Sequence, residues 1–171
     1  MTVAPTLLTP RLRLRMPVLA DFGPHADFHA SSRSVHEGGP RSRAAAWRVW
    51  ASDVALWLLR GYGPFGVENR DTGGYLGEVG VYQGADYPGP ELGWFVVPAA
   101  EGTGVAHEAT RAVLDWLRAS FDWPWITSII DPANSRSITL GLRLGGVIDP
   151  SLPGVDPGDV VIRHDLRGRA A

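Results

Sequence analysis

The sequence predicts an α/β fold, and three features of the 171-residue chain indicate it. Short apolar segments separated by turn residues are typical of antiparallel strands, and they cover residues 65–68, 75–82 and 92–97. The last of these segments runs through a glycine-rich loop into a helix at 104–121 with an apolar face. A fully apolar strand at 125–130 and a further helix at 134–144 then follow. Helices packed against a sheet are the architecture that fits this order.

The N-terminal third adds a strand and two helices. Residues 8–15 alternate apolar and charged side chains, as an edge strand does. Residues 17–30 predict a short helix, and residues 31–41 a polar, glycine-rich loop. Ser42 is a suitable N-cap for a second helix that runs to about Leu59. The apolar residues at helical spacing predict one buried face made of Trp47, Trp50, Val54 and Leu58.

Turn and cap residues place the remaining element boundaries. The residues at 71–74 form a turn between the first two strands of the central group. Asn134 is the predicted N-cap of the last helix, and Gly145 its C′ residue. A loop rich in proline and glycine at 150–158 precedes a closing strand at 160–165.

Composition excludes several classes of function. The net charge of −2 provides no general attraction to nucleic acid or to an anionic membrane. The chain has no cysteine, so it lacks a thiolate nucleophile and a cysteine metal site. All sixteen basic residues are arginine, which excludes a lysine Schiff base. His36-Glu37 and His107-Glu108 lack the second histidine of a zinc-protease motif, and no metal is expected. Without a signal peptide or spanning segment, the expected location is cytoplasmic.

The segment 91–109 places a glycine-rich loop between an apolar strand and a helix. The first N–H groups of a helix have no partner within it, and the helix dipole makes this end positive, so it attracts anions. Gly102 and Gly104 permit positive φ and let a ligand approach the backbone. We therefore expect a cofactor pyrophosphate at this loop. A dinucleotide-binding fingerprint would require glycine where His107 stands, and a P-loop would require a lysine.

Residues 101–106, Glu-Gly-Thr-Gly-Val-Ala, resemble motif A of the GNAT superfamily of acyl-CoA-dependent N-acyltransferases, Gln/Arg-x-x-Gly-x-Gly/Ala. Glu101 stands in place of Gln or Arg, and its carboxylate would repel a phosphate unless it points away from the loop. The run GVAHEAT looks like the matching segment of the subgroup that acetylates protein N-termini, such as the ribosomal-protein alanine acetyltransferases.

A second motif lies in the run DPANSRSITLGLRLGG, which is similar to a motif of the same subgroup. Gly146 replaces its usual Phe, and the matching residues are Asn134, Ser137, Leu144 and Gly145. Together with the N-terminal segment, the resemblance covers nearly the whole chain. It implies the GNAT fold, a mixed central β-sheet flanked by helices, with splayed central strands forming the acyl-CoA cleft. It also implies a single N-acetyltransferase domain over 1–171, with its core at about 8–168.

The resemblance implies acetyl-CoA as co-substrate. Its pyrophosphate would be held by the backbone of Gly102, Thr103, Gly104, Val105 and Ala106. The negative charge that develops on the thioester oxygen would be stabilised by a backbone N–H of Phe95, Val96 or Val97. Asn134 would contact CoA, which is compatible with its role as a helix cap.

Acyl transfer to an amine also requires proton transfers. Glu78 and Glu91, on adjacent strands, are the candidate general bases, and ordered water is the alternative. Ser137 is the candidate acid for the thiolate, because Gly141 stands where many GNAT enzymes have Tyr; it would otherwise be a first-turn helix serine. Trp94 would line the acceptor cleft.

These features predict an acetyl-CoA-dependent N-acetyltransferase that acts on a primary amine, either a protein N-terminus or a small amine. Without cysteine, transfer would be direct, in a ternary complex. The alternative from another class is a non-catalytic acyl-CoA sensor of the same fold. Neither nucleic acid nor membrane is an expected partner, and the sequence leaves monomer and homodimer open.

Overall fold

Residues 4–167 are described by the computed structural model, and they form eight strands and four α-helices. The strands are β1 (Leu7–Leu8), β2 (Leu12–Arg15), β3 (Pro64–Asn69), β4 (Tyr75–Tyr82), β5 (Glu91–Val96), β6 (Trp125–Ile130), β7 (Val147–Ile148) and β8 (Val160–Asp165). The α-helices are α1 (Phe22–Ala30), α2 (Arg43–Leu59), α3 (Val105–Ser120) and α4 (Ser135–Arg143). None of these helices is long and apolar enough to cross a membrane.

All eight strands form one sheet in the order β1-β2-β3-β4-β5-β6-β8-β7. Every neighbouring pair is antiparallel except β5 and β6, which run parallel. These two strands are in register at one pair, Glu91 and Thr127, and a gap opens between them toward the end of β5. The predicted α/β fold with splayed central strands is therefore confirmed.

Two side chains bridge β5 and β6 near the point where they separate. The Ser128 hydroxyl on β6 donates a hydrogen bond of 2.7 Å to the Leu92 carbonyl on β5. The Glu91 carboxylate accepts one of 3.2 Å from the Ile129 amide of β6. Both bonds replace ladder bonds that the diverging backbones no longer make, so the gap has a defined starting point.

Alternation along β4 separates the apolar core from the polar site. Val79 and Val81 lie in the main core with the buried face of α3, whereas Glu78, one residue away, points to the other face. There it meets Trp50 of α2, and α2 packs on α1 through a second, smaller core. Helix α3, predicted to have an apolar face, buries Val105, Ala109, Val113 and Leu117.

The predicted face of α2 is wrong in part. Trp50 is buried, but Trp47 is 44% exposed and Leu58 65% exposed. The helix packs against α1 through its middle, whereas Trp57 turns toward the sheet and its indole N–H bonds to the Pro64 carbonyl at 2.7 Å. The prediction assumed one apolar stripe along the helix, whereas α2 packs in two different directions.

Other boundaries differ by short turns. The predicted strand at 8–15 is divided into β1 and β2 by a turn at Thr9 and Pro10. The segment 17–30 begins with a 3₁₀ helix, Leu19–Asp21, before α1. A second 3₁₀ helix, Ser32–Glu37, lies within the predicted loop at 31–41, and β7 was not predicted.

Candidate active site

Two cavities lie near the predicted site residues. The first, which we call the β5 cleft, has a volume of about 790 Å³ and lies between β4, β5, β6, α1 and α2. The second, which we call the α3–α4 groove, has a volume of about 1220 Å³ and runs between those two helices past β1. The predicted residues Glu78, Glu91, Trp94, Phe95, Asn134 and Ser137 all line the β5 cleft, and Gly104 borders the groove.

The loop before α3 has the backbone geometry that an anion site needs. Gly102 and Gly104 have φ angles of +69° and +81°, in the left-handed region that favours glycine. Gly104 is the N-cap of α3 and has no side chain to occupy the first N–H groups of the helix. The Thr103 hydroxyl donates to the Ala100 carbonyl at 2.6 Å and steadies the loop. The amides at the start of α3 therefore remain free for a ligand.

Glu101, the departure from the motif, is neutralised by two arginines. Its carboxylate pairs with Arg33 and, at 3.3 Å, with Arg136 at the start of α4. The Arg33 guanidinium also donates to the Val96 carbonyl at 3.1 Å. The carboxylate is thus directed at these arginines, and the two cations lie beside the glycine loop.

The three candidate amides at the end of β5 differ in direction. The Val97 N–H donates to the Leu76 carbonyl of β4 at 2.9 Å, so it is already used. The Phe95 N–H, two residues earlier, also points toward β4, because Phe95 pairs with Glu78 of that strand. Val96 lies between them and faces the gap, where its carbonyl meets Arg33. Of the three, Val96 has the amide on the open side.

Glu78 is a buried carboxylate with a raised pKa. It is 1% exposed, and it accepts hydrogen bonds from the Tyr82 hydroxyl at 3.0 Å and the Trp50 indole at 3.2 Å. Burial, followed by repulsion from Asp53, raises the pKa of Glu78 to about 8. A carboxylate with this pKa can both accept and release a proton near neutral pH.

Glu91 lies at the start of β5, where it also bridges to β6. Burial raises the pKa of Glu91 to about 8, although the Ile129 amide favours its ionised form. Repulsion from Glu37, Asp159 and Asp53 raises it further. Glu91 thus has a pKa similar to that of Glu78, but its carboxylate also accepts the hydrogen bond that bridges β5 and β6.

Two buried histidines of α1 were missed by the sequence analysis. His25 and His29 are 2% and 5% exposed, and both line the β5 cleft. Neither ring nitrogen of His25 has a hydrogen-bond partner, nor has Nδ1 of His29. Burial lowers the pKa of His25 to about 3 and that of His29 to about 4, so both rings are neutral. Their spacing of one helical turn was the available signal.

The β5 cleft is rich in carboxylates. Seven of them line it: Glu37, Asp53, Glu78, Glu91, Asp131, Asp156 and Asp159. Arg41 is the arginine of its lining, and among residues 4–167 no ion pair joins any of the seven to an arginine. Asp131 binds His36 at 2.7 Å, which holds the pKa of Asp131 below its usual value.

The second motif brings Asn134 and Ser137 to the cleft. The Asn134 side chain accepts a hydrogen bond of 3.2 Å from the Ser137 amide, so the predicted N-cap is confirmed. A Cβ on Gly141 would lie 2.7 Å from the Ile162 side chain, so this position faces β8 and has no room for tyrosine. A Cβ on Gly146 would meet His164 at 2.7 Å. Both departures from the family pattern thus have a packing cause.

The α3–α4 groove has the opposite charge. Four arginines and a histidine line it: Arg11, Arg111, Arg136, Arg143 and His107. Its two carboxylates are Glu108 and Asp115, and both are paired, with Arg11 and Arg118 respectively. Apolar surface from Leu7, Leu140 and Trp116 lies beside these charges. The groove therefore suits a ligand with phosphates and an apolar or aromatic part.

Comparisons with known proteins agree with this geometry. A family model described as an acetyltransferase (GNAT) domain matches residues 11–147. An acetyltransferase from Agrobacterium tumefaciens strain C58 has a similar crystal structure, with 38% identity and a TM-score of 0.90 over 94% of each chain. A curated relative, the uncharacterized protein YkkB of Bacillus subtilis, is 30% identical over 94 residues, 54% of this chain. The match spans half of YkkB's length, 50%.

More distant structures share the fold alone. The ribosomal-protein-S5-alanine acetyltransferase of Vibrio fischeri is 16% identical, with a TM-score of 0.69 over 96% of this chain and 98% of its own. The ribosomal L7/L12 α-N-protein acetyltransferase RimL, in complex with coenzyme A, is 12% identical, with a TM-score of 0.74 over 94% and 98%.

Proposed function

Because the chain belongs to the GNAT acetyltransferase family, we propose that it moves the acetyl group of acetyl-CoA to a primary amine by direct transfer in a ternary complex. The proposal covers one acetyltransferase domain with its core at about 8–168. The observation that carries it is the gap between β5 and β6, together with the glycine loop that leads from β5 into α3 and the cleft of buried carboxylates beside β5.

The cofactor side is assigned from loop geometry and charge. The free amides at the start of α3 and the glycines Gly102 and Gly104 fit a pyrophosphate, and Thr103, Val105 and Ala106 complete that turn. The arginines of the α3–α4 groove fit the remaining phosphate. Asn134 lines the cleft, two residues before Arg136 of the groove, and would contact the pantetheine arm.

On the acceptor side, an amine must lose a proton before it can attack the thioester. Glu78 or Glu91 accepts this proton, directly or through a water, and their pKa values of about 8 suit the exchange near neutral pH. Trp94, which lines the cleft, forms part of the surface against which the acceptor packs.

Two further groups act on the thioester itself. The Val96 amide faces the gap and donates to the oxygen on which negative charge develops. The Ser137 hydroxyl lines the cleft one turn into α4 and donates a proton to the leaving sulfur, with water as the alternative donor. No cysteine is present to form an acyl-enzyme, so the amine attacks the thioester directly.

The test is release of free thiol from acetyl-CoA in the presence of a panel of amines that includes small amines and peptides with free N-termini. Thiol release that depends on the amine, with an acetylated product of matching mass, supports the proposal. A protein that binds acetyl-CoA but acetylates none of the panel would instead be an acyl-CoA sensor. Peptides belong in the panel because some fold relatives carry names that specify ribosomal-protein substrates.

A further inference from the structure

The negative charge of the β5 cleft is balanced only in part within the protein, because Arg41, whose charge acts on Glu37 and Asp53, is the arginine of its lining. Other buried carboxylates are paired: Arg15 contacts both Asp21 at 2.7 Å and Glu68 at 2.6 Å. None of the seven cleft carboxylates has such an arginine among residues 4–167. Carboxylates gathered in one cavity without arginine partners repel one another, and a cationic ligand in that cavity relieves the repulsion.

A second observation points to a polar ligand in the same cavity. His25 and His29 are almost completely buried, yet the nitrogens of His25 and Nδ1 of His29 bond to nothing. A buried polar atom without a partner costs free energy unless a water or a ligand satisfies it. Because both rings are neutral, each has a lone pair that can accept a hydrogen bond from an ammonium group in the cleft.

The carboxylates are spread along the cleft. Glu78 is the deepest, and its Oε2 lies 3.8 Å from His25 Nδ1. Asp53 on α2 affects the pKa of both Glu78 and Glu91, so it lies within electrostatic reach of both candidate bases. Glu37 is exposed at the end of the 3₁₀ helix that borders the cleft and also acts on Glu91. One amine at the acyl site leaves the charge of the outer carboxylates unbalanced.

We propose that the acceptor is a small amine with at least one further cationic nitrogen, of the diamine or polyamine class. The inference rests on the proposed function for the transfer step, but not for binding. The reacting nitrogen gives its proton to Glu78, Glu91 or water, its N–C bond forms as the C–S bond breaks, and the thiolate takes a proton from Ser137 or water. The second nitrogen stays protonated and is held by Asp53 and Glu37 through charge-assisted hydrogen bonds.

A matched pair of amines tests the charge requirement. 1,4-Diaminobutane and butylamine have the same carbon chain and differ by one cationic nitrogen. We expect kcat/KM for the diamine to exceed that for butylamine about tenfold or more, the range of one charge-assisted hydrogen bond. Equal values, or a preference for an alanine-initiated peptide without basic residues, would overturn the inference.

Substitutions locate the second cation. In Asp53→Asn and, separately, Glu37→Gln, the ratio of diamine to butylamine kcat/KM should fall severalfold toward one. Asp27→Asn is the control, since Asp27 is exposed on α1 and outside the cleft, and this variant should keep the wild-type ratio. A ratio that stays at the wild-type value in both cleft variants would contradict the assignment.

Calorimetric titration of 1,4-diaminobutane into the protein saturated with CoA separates this inference from the proposed function, because it requires no turnover. Diamine binding that weakens in Asp53→Asn, without acetylation of any amine, would support the inference and overturn the proposed function. Acetylation of butylamine and peptides without any preference for the diamine would support the proposed function and overturn the inference.

Discussion

The two cavities, one beside α3 and α4 and the other beside β5, have opposite charge. The α3–α4 groove is lined by four arginines, and the β5 cleft by seven carboxylates and one arginine. The chain as a whole has a net charge of only −2, so the average conceals the separation. Each cavity attracts ligands of one sign and repels those of the other. An anionic cofactor and a cationic acceptor would therefore enter from different sides and meet at the gap.

The largest effect is expected at the deep end of the β5 cleft. Glu78→Gln removes a base but keeps the shape of the side chain, so kcat at neutral pH should fall by about 10²–10⁴ while CoA affinity is unchanged. Glu91→Gln is the paired variant, and the larger loss identifies the base. If both variants keep the wild-type rate and pH profile, a water serves as the base.

On the cofactor side, Gly104→Val should weaken CoA binding about tenfold or more, about 1.4 kcal/mol, as measured by calorimetry. Gly104 has a φ of +81°, and a branched side chain would distort the loop whose amides face the ligand. Gly61→Val is the control, because Gly61 has a similar φ of +76° with open space around it, far from the loop. The same loss of affinity in both variants would argue for general strain.

The boundary between the two charged regions lies at Glu101. Glu101→Gln releases Arg33 and Arg136 from their carboxylate partner, so CoA affinity should rise by about threefold to tenfold at low salt. The gain should shrink at high salt, because screening weakens exposed ion pairs. Weaker binding in the variant would instead mean that Glu101 holds the two arginines in position.

A smaller effect is expected at Ser137. Ser137→Ala should slow turnover by a few-fold with the best acceptor, because water can still protonate the thiolate, and acetyl-CoA should bind as before. The comparison requires kcat for wild type and variant at saturating acceptor. Equal values would leave Ser137 as a helix serine that packs beside the Asn134 cap.

The smallest effect concerns stability and pH. The pKa of Glu91 rises from its ordinary value of 4.5 to about 8 in the folded protein. Between these values the folded state binds more protons than the unfolded state, so this group lowers stability as the pH rises. The Tm of Glu91→Gln minus that of wild type should therefore be larger at pH 8.5 than at pH 5.5. The increase should be about 2–4 °C for each kcal/mol of unfolding free energy that ionisation of Glu91 removes from the wild-type protein. A constant difference in Tm between Glu91→Gln and wild type would contradict the raised pKa of Glu91.

The sequence predicted the glycine loop and its flanking elements far better than the β5 cleft. The glycine loop, helix α3 and the Asn134 cap depend on neighbouring residues, and local patterns describe them correctly. The carboxylates of the β5 cleft come from separate segments of the chain, and only folding brings Glu37, Asp53 and Asp159 near the start of β5. No local sequence pattern links these carboxylates, and in the composition they contribute only to the net charge.

Packing decided the remaining errors. Helical spacing predicted that Trp47 would be buried with Trp50, but α2 meets α1 and the sheet in different directions and leaves Trp47 partly exposed. His25 and His29 had a readable spacing of one turn, yet burial without partners is a property of the tertiary structure. Gly141 could be noted as a departure, but the contact with Ile162 that explains it joins distant segments.

The hydrogen bond from Trp50 to Glu78 also has an optical consequence. On excitation, electron density in an indole moves from the five-membered ring toward the six-membered ring. A negative charge at Nε1, 3.2 Å away, lowers the energy of that excited state, and the neutral acid does so less. The emission of Trp50 should therefore shift to longer wavelength as Glu78 ionises. The candidate base carries its own fluorescent indicator, and its protonation can be followed without an added label.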